Sequence, residues 1–222
     1  LTDYALKNST FSNIVGTKNY TININGYPKN LNNTNELLGN LNGVYGVKTG
    51  FTNGANRCLV TACKRGNMDI ICVVLGADTK NFRTQDSIKL IEYTFNNYTY
   101  INIENKINEY FNNWISANKN NFFIEKGISQ NIELTHSYIE NPIIPIKKSE
   151  IENIQILIDV NTYLQAPINK DDKIGNISVL LNNNIICYCD ILCKNPIDKK
   201  GFYLYLLDFF KNYNNYLKSI IV

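Results

Sequence analysis

Lys48, Thr49 and Gly50 stand inside the run Gly43-Val-Tyr-Gly-Val-Lys-Thr-Gly-Phe-Thr-Asn-Gly-Ala. In an extended strand beside a cleft, the Lys48 ammonium is a point charge that can bind a carboxylate or lower the proton affinity of a neighbour. Thr49 adds a hydroxyl donor. Gly50 has no side chain, so a substrate backbone can lie against the strand and pair with it. The backbone N–H of the next residue, Phe51, is then available to a developing oxyanion. Charge, hydrogen bond, access and oxyanion support thus come from four adjacent residues.

Arg83 is the second candidate. It precedes a helical pattern in which Ile88, Ile91 and Phe95 share a face, with Asn81 or Asp78 as candidate caps. A cation in a first helical turn opposes the helix dipole, so something should compensate for it. A substrate carboxylate held between Arg83, Lys48 and the helix N-terminus would do so. A solvated surface arginine is the alternative reading.

The elements that must position these groups follow from the pattern. Residues 1–40 read as short helical pieces, one with Thr10 as its cap, then a strand over 17–24 and turn chemistry around Gly26-Tyr27-Pro28, with a brief helix over 34–38. From Gly46 the pattern is β: one strand through the tripeptide, a second over 57–64, a turn at Arg65-Gly66-Asn67 and a third over 69–75, an antiparallel meander. The last two strands are apolar on both faces, which implies cover on both sides.

After Tyr98 the composition becomes Asn-rich and weakly patterned up to about Asn121, and the expected boundary falls there. Strand-like segments at 132–135, 154–160, 174–181 and 185–193, divided by Pro and Asn turns, suggest a small β-sandwich. The last 22 residues carry Phe202, Leu206, Phe209, Tyr213 and Ile220 at helical spacing, against a face of Asp208, Lys211, Asn212, Asn215 and Lys218. Such a helix either lies in a membrane interface or packs on the sandwich.

Composition bounds the function. The 222 residues, 44% hydrophobic, contain no apolar run long enough to span a bilayer as a helix. A net charge of +3 gives no field that points to nucleic acid. Of six cysteines none forms a two-residue-spaced pair, and His136 is the only histidine, so neither a metal site nor a cofactor is expected. Cys187, Cys189, Ile191 and Cys193 alternate on one face of a strand and read as core.

The tripeptide is one of three marks of penicillin-recognising serine acyl enzymes. Its surroundings are more specific. The order Gly-Val-Lys-Thr-Gly-Phe-Thr, Gly54-Ala55, the hairpin of Cys58-Leu-Val-Thr-Ala-Cys and Ile70-Ile-Cys-Val-Val-Leu, and then Arg83 resembles the D-alanyl-D-alanine carboxypeptidases, the low-molecular-mass penicillin-binding proteins. Tyr4-Ala-Leu-Lys-Asn-Ser-Thr-Phe and Asn33-Thr-Asn-Glu-Leu-Leu are similar to that family's helix and loop upstream of the tripeptide, and Leu164-Gln-Ala-Pro-Ile-Asn-Lys-Asp-Asp-Lys-Ile-Gly to its C-terminal domain.

The resemblance implies an α+β fold: the C-terminal part of a β-lactamase/transpeptidase-like domain over 1–100, a linker over 101–121, a β-sandwich over 122–200 and an amphipathic helix over 201–222. It implies a serine-type carboxypeptidase that trims the terminal D-alanine from peptidoglycan stem pentapeptides and binds β-lactams, at the outer face of the cytoplasmic membrane. Lys48 and Thr49 would contact the terminal carboxylate with Arg83, Gly50 would line the substrate strand, and Lys48 and Phe51 would serve the chemistry. No Ser-x-x-Lys or Ser-x-Asn precedes Lys48; Ser116-Ala-Asn-Lys119 and Ser129-Gln-Asn131 follow it in the wrong order, so the nucleophile is expected outside this chain. A non-catalytic envelope module derived from such an enzyme is the alternative, and a β-lactamase is disfavoured by the sandwich and final helix.

Overall fold

The computed structural model describes residues 1–220. Two compact units divide the chain, one of residues 1–100 with 145–149 and one of 101–144 with the residues from 150 onward.

The first unit opens with helices α1 (Thr2–Leu6) and α2 (Ser9–Gly16). Asn8, rather than Thr10, caps α2 by accepting a hydrogen bond from Phe11 N. Strands β1 (Asn19–Ile24) and β2 (Tyr27–Asn32) form an exposed hairpin. Its turn residues Asn25 and Gly26 both have positive φ, the requirement of a tight two-residue hairpin turn. The stretch after Gly26, expected as turn, is therefore a strand. Residues 34–38, expected as a short helix, form non-helical turns.

The meander follows as β3 (Val44–Thr52), β4 (Asn56–Arg65) and β5 (Met68–Ala77), antiparallel and in that spatial order. Helix α3 (Lys80–Asn97) comes next, capped by Thr79 rather than Asn81 or Asp78. One face of the sheet buries Leu59, Cys63, Cys72 and Val74 against Ile91 of α3 and Leu37 and Leu38. On the other, Val47 and Ala62 meet Val15 of α2. That second cover is incomplete, because Ile71, Val73 and Leu75 of β5 remain 39, 51 and 69% exposed. A bidentate pair between Arg65 and Glu92, at 2.9 and 2.6 Å, fastens α3 to the end of β4.

The chain leaves the first unit within β6 (Tyr98–Asn102), and α4 (Ile103–Asn118) occupies the stretch expected as a linker. Its Ile103, Ile107 and Phe111, spaced by four, are buried in the core of the second unit, so this segment is a structural helix and not a tether. The remaining strands are β7 (Phe123–Glu125), β8 (Leu134–His136), β9 (Ile143–Lys147), β10 (Ile154–Val160), β11 (Tyr163–Gln165), β12 (Lys173–Leu181) and β13 (Asn184–Cys193).

A four-stranded sheet has the order β10-β12-β13-β8, and β7 pairs with β11 in parallel. Ile177, Val179, Cys189, Ile191 and Cys193 face its core, as the alternation in β13 requires. Helix α5 (Phe202–Ile220) ends the described chain; Phe202, Tyr203, Leu206, Phe209 and Phe210 are exposed on it. It is not apolar enough to cross a membrane, and neither is any other described helix. Residues 221 and 222 of the expected terminal helix lie outside the described residues.

Candidate active site

Strand β3 carries the tripeptide along an outer edge of the meander, because only β4 pairs with it in that sheet. Lys48 and Gly50 are exposed and Thr49 is half-buried. The Lys48 ammonium donates to the Thr49 carbonyl at 2.5 Å, so its charge lies along the strand. Gly50 faces Cys58 across the ladder, and a Cβ built on it would meet the Cys58 Cβ at an ordinary 3.7 Å. Among the described residues nothing forbids a side chain there. The Phe51 ring is 58% exposed and lies under the Arg57 guanidinium, 4.6 Å from its centroid.

Arg83 is not the solvated surface arginine of the alternative reading. It is buried, 3% exposed, in the first turn of α3. Its Nη2 donates to Glu36 Oε2 at 3.3 Å, and its Nε has no partner among the described residues. The same carboxylate accepts from Thr84 Oγ1 at 2.6 Å and pairs with Lys80 at 2.5 Å. The compensating anion for the two first-turn cations is thus an internal side chain. Glu36 is the observed partner of the Arg83 guanidinium, and 4% of the Arg83 side-chain surface is exposed. Desolvation works against ionisation of Glu36, yet hydrogen bonds from Lys80 and Thr84 and the charges of Lys80 and Arg83 hold its carboxyl below the usual range.

Sequence reasoning matched the segment over 33–38 to a loop upstream of the tripeptide but gave Glu36 no role. Asn35 is 2% exposed; its Nδ2 donates to the Gly46 carbonyl and its Oδ1 accepts from Leu37 N. Thr34 and Thr49 share a hydrogen bond between their hydroxyls at 2.7 Å. The available signal was the pair of uncompensated cations at 80 and 83, which demanded an acidic partner from elsewhere in the chain.

The remaining candidates for nucleophilic chemistry are engaged elsewhere. The Ser116 hydroxyl bonds back to Asn112 O within α4, and Ser129 Oγ accepts from Asn131 N in a loop. Burial raises the thiols of Cys63, Cys72, Cys187 and Cys193, and takes that of Cys189 up to about 11, which suppresses thiolate formation. Both ring nitrogens of His136 are hydrogen-bonded, to Asn108 Oδ1 and Ser137 O. What the first unit offers here is a cation, two hydroxyls and an open strand edge.

Comparison with known proteins matches the two units separately. Residues 1–79 match the family model of D-alanyl-D-alanine carboxypeptidase, and residues 125–199 match that of the C-terminal domain of penicillin-binding protein 5. The chain is 31% identical to D-alanyl-D-alanine carboxypeptidase DacF of Bacillus subtilis over 78% of its own length and 42% of the relative's. Among solved structures, D-alanyl-D-alanine carboxypeptidase DacD of Francisella tularensis aligns with a TM-score of 0.54 at 26% identity, over 78% of this chain and 40% of that one. Penicillin-binding protein 5 of Haemophilus influenzae shares the fold with a TM-score of 0.53 at 23% identity, over 85% of this chain and 51% of that one. The chain therefore spans about two fifths to one half of the length of these proteins.

Proposed function

We propose that the chain, whose residues 1–79 and 125–199 match the models of D-alanyl-D-alanine carboxypeptidase and of the penicillin-binding protein 5 C-terminal domain, supplies the substrate-binding wall of a serine-type carboxypeptidase. The substrate is a peptidoglycan stem peptide ending in D-Ala-D-Ala, and β-lactams take the same place. The single observation that carries this reading is the Lys48-Thr49-Gly50 sequence on the outer edge of β3, with Lys48 and Gly50 exposed and Thr49 half-buried.

An extended peptide lies along that edge and pairs with its backbone, as peptides do when they add a strand to a sheet. Gly50 leaves it room. Lys48 and the Thr49 hydroxyl hold the terminal carboxylate, and the Phe51 N–H supports the oxyanion. A serine from a part of the protein outside these 222 residues attacks the carbonyl between the two D-alanines. The terminal D-alanine leaves as the acyl-enzyme forms, and water then releases the shortened peptide. The apolar stripe Ile71, Val73 and Leu75 on β5 supports an incomplete first unit, since such a stripe is ordinarily covered. Residues 1–100 thus serve as part of the catalytic domain, and residues 122–200 as an accessory one.

Members of this family are cell-envelope proteins. The exposed aromatic and leucine side chains of α5 support a helix that lies in the interface at the outer face of the cytoplasmic membrane.

The test is turnover of a D-Ala-D-Ala peptide by the complete gene product. Lys48→Ala should lower kcat/KM by at least about a hundredfold, a loss on the order of 3 kcal/mol in transition-state stabilisation. Unchanged turnover in Lys48→Ala would overturn the site assignment. A complete protein that lacks an upstream Ser-x-x-Lys and has no turnover would favour the non-catalytic envelope module.

A further inference from the structure

One short segment ties the tripeptide to the N-terminal turn of α3. Its three successive residues reach three different partners: Thr34 meets Thr49, Asn35 holds the Gly46 carbonyl, and Glu36 meets Lys80, Arg83 and Thr84. Leu37 and Leu38 then enter the core. Thr34 is the exposed end of this series and Glu36 its charged anchor. Ionised hydrogen bonds are about twice as strong as neutral ones, so the anchor on α3 is the stiffer contact. The Thr34 contact is the one that can be lost.

We propose that Glu36 is a positioning residue for the substrate, and that Thr34 is a second hydroxyl in the carboxylate subsite. Glu36 fastens residues 33–38 to α3 and thereby holds Thr34 against Thr49. In that pair one hydroxyl donates to the other, and the acceptor keeps its own hydrogen free to point outward. A hydroxyl that accepts a hydrogen bond is also a better donor. This inference rests on the carboxypeptidase reading, because only a substrate with a terminal carboxylate uses those hydroxyls.

The experiment uses the complete gene product and a D-Ala-D-Ala peptide with a free terminal carboxylate. Glu36→Gln should raise KM about tenfold with kcat within about twofold, as expected for loss of one well-placed hydrogen bond to an ion. Thr34→Val should do the same, and Thr34→Ser should restore the unsubstituted value. The double variant Glu36→Gln/Thr34→Val should be no worse than either single one, since both act on one contact. Should Glu36→Gln not yield folded protein, Lys80→Ala, which removes one of three Glu36 contacts, should raise KM by a smaller factor. An unchanged KM in the variants, or losses that add in the double variant, would overturn the proposal. Absence of turnover in the unsubstituted protein would count against the carboxypeptidase reading itself and remove the basis for this one.

Discussion

Two cations in the first turn of α3, Lys80 and Arg83, would oppose the helix dipole alone, and Glu36 provides the anion that this turn lacks. That arrangement has a pH signature. The Glu36 carboxyl titrates below its ordinary value in the folded protein. A group whose folded value is depressed contributes stability that is complete above the unfolded value and is lost as pH falls through the folded one. The midpoint of urea unfolding of the first unit should therefore fall between about pH 5 and pH 3, and Glu36→Gln should flatten part of that fall. An identical pH dependence in Glu36→Gln would contradict the pairing. Lys48, Thr49 and Gly50 were legible in the sequence because their chemistry is contiguous. Glu36 was not, because its partner Arg83 lies 47 residues away and only the folded chain brings them together.

The strands of the meander and of the four-stranded sheet were legible because β-branched and apolar alternation marks them directly. Other elements were not. Strand β1 falls within the strand expected over 17–24, but β2 is wholly exposed and so shows no inward-facing apolar period, although the Asn25-Gly26 turn was a usable signal. Helix α4 was hidden by its asparagines, which weaken helix propensity while Ile103, Ile107 and Phe111 still supply the buried stripe. Ile107→Ala should cost the second unit about 2–5 kcal/mol in urea unfolding, the usual range for a fully buried isoleucine. A linker residue would cost nothing measurable. Thr61 of β4 is fully buried and its hydroxyl has no partner among the described residues. Thr61→Val should raise the stability of the first unit by about 1 kcal/mol, since it replaces an unsatisfied hydroxyl with a methyl group of similar size. A loss of stability would show that the hydroxyl is satisfied.

At the scale of the molecule, two cores and an exposed terminal helix divide the labour. If α5 is an interfacial anchor, deletion from Gly201 onward should abolish co-sedimentation with anionic lipid vesicles and leave peptide turnover by the complete protein unchanged. Retained binding would return α5 to the packing reading. The central claim is that this chain holds one wall of an acyl-enzyme site and that its nucleophile lies elsewhere in the protein. The most direct measurement is peptide mapping, by mass spectrometry, of the complete gene product and of this 222-residue chain after each is treated with penicillin. The account predicts one penicilloyl adduct in the complete protein, on a serine outside these residues, and none in the chain alone. An adduct on Ser116, Ser129 or any other residue of this chain, or no adduct on the complete protein, would contradict it.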